Sequence, residues 1–247
     1  MGKLTGKVAV VTGASKGIGA SIAEAFAAEG ASVVVNYASS RDGADRVVKA
    51  IADKGGKAVA VQASVDKAAD VKRLFAETEK AFGPANILVN NAGVYDYVSL
   101  DAITEEHFHK HFNINVLGVL LASQAAARHF GEGGGSIINI GSLETTVLHP
   151  TSSVYTGSKG AVDAITGVLA NELGPQGIRV NSLNPGLTAT EGTTGFVGTD
   201  FGAEVVKQTP LGRVGQPQDI APVAVFLASD DSRWVTGELV RVGGGLR

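Results

Sequence analysis

A chain of 247 residues carries 24 acidic against 21 basic side chains, a formal net charge of -3, and no cysteine. That composition excludes disulfides, thiol catalysis and Cys-ligated zinc, and it leaves no concentrated basic face for a nucleic-acid partner. The length suits one domain over residues 1–247, and abundant glycine with few aromatics suits a sheet buried under helices and joined by tight turns.

The opening MGKLTGKVAVVTG holds only a short apolar run before Gly13. It is too brief for a signal-peptide core or a membrane span, so a cytoplasmic protein with no membrane partner is expected. Apolar runs rich in β-branched residues recur at Val8–Val11, Val33–Val35, Ala58–Val61, Ile87–Val89, Ile137–Ile140, Val180–Leu183 and Leu239–Val242, and these read as strands. Helical periodicity fills the intervals: Ile18–Glu29, Gly43–Lys54, Ala68–Phe82, Glu105–Phe130, Val154–Leu173 and Gln218–Ala228, with Gly30, Gly83 and Gly174 as C-cap signals. Such alternation implies right-handed βαβ units. The expected fold is therefore α/β, a doubly wound Rossmann-type parallel sheet of seven strands in a single domain, with ligands beyond the carboxyl ends of the strands. Thr188–Thr209 breaks the alternation, with Gly192, Gly195, Gly198 and Gly202 among Thr and Asp. It reads either as a substrate lid or as a solvated loop.

TGASKGIG, Thr12–Gly19, directly follows the first strand and opens the first helix. Gly13 permits a tight turn, Gly17 lets backbone approach a pyrophosphate, and Gly19 allows close helix packing. Ser15, Lys16 and Ile18 complete a loop whose free N–H groups and helix dipole favour an anion. A plain strand-to-helix turn could look similar, but the position after the first strand favours a dinucleotide site. At the end of the second strand stand Asn36 and Tyr37, then Ala38, Ser39, Ser40 and Arg41. No carboxylate guards the ribose, where NAD-selective sites usually place one. Lys16, Asn36, Ser39, Ser40 and Arg41 can offer donors and charge to a 2'-phosphate, which makes NADPH/NADP+ the expected cofactor. The alternative for Lys16 and Arg41 is a role as solvated surface cations.

YTGSK puts Tyr155 and Lys159 four residues apart on one helix face, so an ammonium comes within reach of a phenol. A phenol titrates near ~10, too high for efficient proton transfer at neutral pH, and a nearby cation lowers that value. Taken alone, the spacing is common on ordinary helices. Its company changes the reading: TGASKGIG, NNAG at Asn90–Gly93, NVLG at Asn115–Gly118, Gly141 with Ser142, YTGSK, and NPG at Asn184–Gly186.

Together these motifs, in this order and across essentially the whole chain, resemble the short-chain dehydrogenase/reductase family. The resemblance implies hydride transfer between a nicotinamide and a carbonyl. It casts Tyr155 as general acid in reduction, Lys159 as the group that holds the nicotinamide ribose and depresses the tyrosine pKa, Ser142 as a donor to the substrate oxygen, and Asn115 as anchor of a relay water. It further assigns Asn91, Ala92 and Gly93 to the adenosine side and the central sheet. Pro185, Gly186, Leu187 and Thr188 fall beside the nicotinamide. Two positions depart from the pattern: Ser64 stands where the family often has Asp beside the adenine, leaving the Val65 amide usable, and Gly243 replaces a common Asp. The resemblance also implies a homo-oligomer, a tetramer with two-fold axes, paired through the long helix Glu105–Phe130, the Tyr–Lys helix and the C-terminal strand. Small residues in AASQAAARHF and AVDAITGVLA suit close helix approach.

The hydride donor and Tyr155 fix where a carbonyl must sit, so selectivity falls to the loops after the fourth, fifth and sixth strands. Tyr95, Glu144, Thr145, His149, Leu187 and Phe196 are the expected substrate lining, with Glu144 either accepting from a substrate or facing solvent. His107 and His111 share a helix face, which His109 does not, and no metal is expected there. The leading activity is reduction of a small-molecule ketone or aldehyde. A 3-oxoacyl-carrier-protein reductase is the first rival, disfavoured by FGEGGG (Phe130–Gly135) and Asn171–Glu172 where basic residues would meet an acidic carrier. A sugar or polyol dehydrogenase and a non-catalytic dinucleotide-binding redox sensor complete the alternatives.

Overall fold

The computed structural model describes residues 2–247. Its strands are β1 (Val8–Val11), β2 (Ser32–Tyr37), β3 (Lys57–Gln62), β4 (Ile87–Asn90), β5 (Gly135–Ile140), β6 (Ile178–Pro185) and β7 (Leu239–Val242). They form one parallel sheet in the order β3-β2-β1-β4-β5-β6-β7, so the winding reverses between β1 and β4. The helices are α1 (Gly17–Ala28), α2 (Arg41–Asp53), α3 (Ala68–Phe82), α4 (Glu105–Phe112), α5 (Gly118–His129), α6 (Glu144–Val147), α7 (Ser153–Leu173), α8 (Asp200–Gln208) and α9 (Pro217–Ala228).

Both sheet faces are covered, which is why the central strands are apolar without alternation. On one face Ile22 and Phe26 of α1, Val47 and Ile51 of α2, and Ile220 and Ala224 of α9 pack in one cluster with Ala9, Val33 and Val89 of the sheet. On the other, Leu74 and Phe75 of α3, Ala122 and Ala126 of α5, and Ala170 and Leu173 of α7 cover Val10, Leu88 and Ile137. Among the described residues no helix is long and apolar enough to cross a membrane.

Besides the short α6, two elements differ from expectation. The single helix expected over 105–130 is α4 and α5 joined by a π-helical turn, Asn113–Leu117. Such a turn inserts extra backbone without breaking the apolar pattern, and it carries Asn115 into the interior. The irregular segment after β6 contains α8, whose N-cap Thr199 accepts from the Gly202 amide at 3.3 Å. Phe201 and Val205 lie one turn apart on its cavity side, a short apolar face that the surrounding glycines conceal.

Candidate active site

The carboxyl ends of the strands open into a cavity of about 550 Å3. Its floor at one end is the loop between β1 and α1. Gly13 and Gly17 hold φ of 60° and 58°, a region that glycine enters without strain. A Cβ on Gly13 would come 2.8 Å from Ala92 Cα, and one on Gly19 would collide with the Asn91 amide. The loop is braced from below: Asn91 Nδ2 donates to the carbonyls of Thr12 and Gly13, while Thr12 Oγ1 accepts from the amides of Asn91 and Ala92. The Gly17 amide donates to Glu191 Oε2 at 3.1 Å. A carboxylate thus stands where the α1 N-terminus attracts an anion, and the cradle fits a dinucleotide pyrophosphate.

Ser15, Lys16, Gly17, Ile18, Asn36, Ala38, Ser39, Ser64, Val65, Asn91, Ala92 and Gly93 all line this end. Several nevertheless depart from their expected parts. Asn36 is buried, and its amide donates to the carbonyls of Val61 and Ala63 while its Oδ1 accepts from the Gly13 amide. Its donors are taken, so it braces the loop and cannot serve a 2'-phosphate. Tyr37 packs into the core because the alternating pleat that turns Asn36 and Ala38 to the cavity turns it away. Arg41 pairs with Asp45 at 3.4 Å, one helical turn ahead, and lies outside the lining. The Ser64 hydroxyl donates to Asp66 at 2.6 Å. Lys16, Ser39 and Ser40 remain, exposed, and the end of β2 contributes no carboxylate to the lining beside them.

At the opposite end, α7 presents Tyr155 and Lys159. Lys159 is buried, its Nζ donating to the Ile140 carbonyl at 2.7 Å and lying 5.9 Å above the Tyr155 ring centroid. Burial pulls its pKa down to about 8, with Asp163 opposing. Burial likewise pushes the Tyr155 phenol up to about 12, with Ser142 pulling it down by hydrogen bonding and Glu144 and Tyr95 adding to the rise. The net shift of the tyrosine is therefore opposite to the depression expected from Lys159. The ammonium is held by a carbonyl and faces the ring, so desolvation dominates. A phenol kept protonated across neutral pH is nonetheless the form that donates a proton.

Asn115 stands behind this pair and outside the cavity lining. Its amide donates to Val94 O and to Ser158 Oγ, each at 2.9 Å, and its Oδ1 accepts from Val94 N. Ser158 Oγ donates in turn to the Tyr155 carbonyl. Both amide protons are committed, so the side chain positions α7 against the loop after β4, and a relay water at Asn115 would have to donate to it. A second brace escaped the sequence reading: Asp163 accepts from Ser182 Oγ and Asn184 Nδ2, each at 3.1 Å. Asn184 stands so close that a Cβ on Gly141 would collide with it, which explains glycine before Ser142.

Pro185, Gly186, Leu187, Thr188, Tyr95, Glu144, His149 and Phe196 line the cavity as well. Thr145 does not, because its hydroxyl turns back to the Ser142 carbonyl at 3.0 Å. Glu144 Oε1 accepts from His149 Nδ1 at 2.6 Å. Tyr97, Leu143 and Leu246 also line it and were not foreseen. Tyr97 had one signal, its place two residues beyond Tyr95 in the same loop, whereas Leu246 reaches the site through a distant return of the chain. Asp96, His107 and His111 bring ligand-type atoms within 4.8 Å of one another, but protein bonds already occupy Asp96 and His111. His111 uses Nδ1 toward the His107 carbonyl and Nε2 toward the Asp96 amide, and Asp96 pairs with Lys110.

A family model described as enoyl-(acyl carrier protein) reductase matches residues 13–247. An uncharacterized oxidoreductase of Methylorubrum extorquens is 60% identical, with both chains covered in full at 100%. Versicolorin reductase 1 of Aspergillus parasiticus is 40% identical over 98% of this chain and 97% of its own. A short chain dehydrogenase of Burkholderia cenocepacia, solved in complex with NADP, superposes with a TM-score of 0.93 at 38% identity, covering 99% of each chain. A Gly-rich cradle at the switch point, a Tyr–Lys pair facing Ser142 across the same cavity, and these full-length likenesses identify the chain as an oxidoreductase belonging to the short-chain dehydrogenase/reductase family.

Proposed function

We propose that the protein reduces a ketone or aldehyde to an alcohol with NADPH, using Tyr155 as proton donor. The observation that carries this reading is the Tyr155 phenol, held protonated by burial and flanked by Ser142 and Lys159, at the far end of a cavity that begins in an anion cradle. Bound along that cavity, the dinucleotide would supply the hydride. Ser142 and Tyr155 donate to the carbonyl oxygen as negative charge builds there, which favours the transition state over the ground state. Tyr155 then gives up its proton, and the buried charge of Lys159 stabilises the phenolate left behind. Lys16, Ser39 and Ser40, with no carboxylate from the end of β2 in the lining, support NADPH over NADH. The NADP complex of the Burkholderia relative supports the same choice.

Residues 188–209 form the lid in this reading, Glu191 tethering it to the cradle. The protein works as a cytoplasmic homotetramer. A 3-oxoacyl-carrier-protein reductase is the second reading, favoured by exposed Arg128 in the last turn of α5 and by the carrier-linked substrate, though not the enoyl reduction, in the family model's description. Against it, α7 carries Asn171 and Glu172 in its last turn, which offer no positive charge to an acidic carrier. The test is loss of NADPH absorbance with ketones, keto esters, sugars and a carrier-linked substrate, with and without Tyr155→Phe. Turnover of free ketones that Tyr155→Phe abolishes supports the proposal. Turnover confined to carrier-linked substrate supports the rival.

A further inference from the structure

The substrate half of the cavity is walled by aromatic rings supplied by the separate segments after β4, β5 and β6. Tyr95 and Tyr97, from the loop after β4, place their centroids 6.3 and 5.9 Å from that of Tyr155. Across the cleft Phe196, from the segment after β6, lies 5.5 Å from Tyr97, and Phe201 of α8 lies 6.0 Å from Phe196. The row ends at His149, whose ring meets Phe201 edge-on at 5.0 Å. None of these pairs is stacked; their planes cross at 47° to 71°. All of these rings also line the cavity, so the row borders the catalytic phenol rather than a closed core.

Beyond the rings sits one acidic group. Glu144 is largely buried, with Oε1 taking His149 Nδ1 at 2.6 Å and Oε2 taking the His149 amide at 3.3 Å. A carboxylate has about four acceptor positions, so this one retains capacity for a donor arriving from the cavity. Its charge reaches the reacting end, since it adds to the rise of both the Tyr155 and the Tyr97 pKa. A carboxylate or phosphate on the substrate would meet like charge there, whereas a hydroxyl would find an acceptor.

Resting on the reading of the protein as a carbonyl reductase, we propose that its substrate is an uncharged aryl or fused-ring ketone bearing a hydroxyl, the ring packed among Tyr97, Phe196 and Phe201 and the hydroxyl donated to Glu144. A flat ring gains edge and offset contacts from such a wall that an aliphatic chain of equal area lacks.

Four substrates test this with NADPH: a hydroxyaryl ketone, the same ketone without its hydroxyl, an aliphatic ketone of equal carbon number, and an aryl keto acid. The expected order of kcat/KM puts the hydroxyaryl ketone about tenfold or more above the aliphatic one, with the keto acid lowest. Phe196→Ala and Phe201→Ala lower kcat/KM for the aryl ketones about tenfold and for the aliphatic ketone much less. Glu144→Ala removes the acceptor and with it the advantage of the hydroxyl. An aliphatic ketone turned over as well as the aryl ones by the unmodified protein overturns the inference, and this measurement needs no variant to fold. Loss spread equally over all four substrates in the phenylalanine variants overturns it too. Failure to turn over any carbonyl with NADPH or NADH overturns the carbonyl-reductase reading itself.

Discussion

Glu191 Oε2 accepts a hydrogen bond from the Gly17 amide at 3.1 Å, so the segment after β6 places its own anion on the first turn of α1. A pyrophosphate drawn to the same amide must displace it, and two anions cannot share one donor without repulsion. Glu191→Gln keeps the shape and removes the charge. It is expected to tighten NADPH binding about tenfold by calorimetric titration, roughly 1.4 kcal/mol. Unchanged or weaker affinity would show that the contact yields without cost.

Tyr155 and Lys159 are expected to separate chemistry from binding. Tyr155→Phe removes the proton donor but none of the cradle, so turnover falls at least about a thousandfold while NADPH affinity is largely kept. Lys159→Ala removes a buried cation that also holds Ile140 O, and both turnover and affinity fall. Equal loss of NADPH affinity in Tyr155→Phe by fluorescence titration would contradict the assignment of that residue to proton transfer.

The seven strands and the Tyr–Lys pair were legible because they rest on local order: a buried parallel strand reads as an apolar run, and a four-residue helical spacing sets one face. Asn36 was misread because a donor to phosphate and a donor to backbone look alike in sequence. Which one it serves depends on the β2–β3 register, which sets Asn36 opposite Val61. The π-helical turn at Asn113–Leu117 was hidden because the apolar pattern runs through it. Asp163 looked like one more helix-surface acid; only the packing of α7 on β6 brings it to Ser182 and Asn184.

Cofactor preference is expected to exceed about tenfold in kcat/KM for NADPH over NADH, about 1.4 kcal/mol. The natural site for reversing it is Ala38, exposed in the lining, and not Asn36, where a carboxylate would confront the carbonyls of Val61 and Ala63. Ala38→Asp brings negative charge against a 2'-phosphate and is expected to erase or invert the preference. Comparable constants for the two cofactors in the unmodified protein would defeat the argument.

Reduction needs Lys159 charged and Tyr155 protonated. With Lys159 lowered to about 8 and Tyr155 raised to about 12, the lysine limits first: it is charged below about pH 8 and neutral above. The kcat/KM for NADPH, which reports the free enzyme, is therefore expected to be flat at neutral pH and to fall above about 8. Asp163 is the charge that supports Lys159, so Asp163→Asn moves the fall to lower pH. A profile identical in the two proteins would remove Asp163 from this role, whereas a merely structural defect would lower the curve without moving its inflection.

Assembly is the last expectation, and it rests on the outer face of α7. Gly157, Gly160 and Gly167 lie within this helix, and a Cβ on any of them would meet nothing within 4 Å. Each costs a helix about 0.5–1 kcal/mol relative to alanine, a cost with no return in an isolated chain. A second helix lying across that face recovers it, because missing side chains let backbones approach. Val168 beside them is 55% exposed, and Leu120 on α5 is 40% exposed, apolar area that such a contact would bury. A second surface lies at the sheet edge, where β7 has no outer neighbour among the described residues and Trp234 is 97% exposed. Two self-complementary surfaces related by two-fold axes build a tetramer. Light scattering at micromolar concentration is expected to report four chains. Gly160→Leu improves helix propensity, so in a monomer it would stabilise the fold; here it is expected to break the helix contact, lower the assembled mass and lower Tm. Trp234→Ala is expected to leave a dimer. A monomeric unmodified protein, or a Gly160→Leu variant of full mass and raised Tm, would rule the arrangement out.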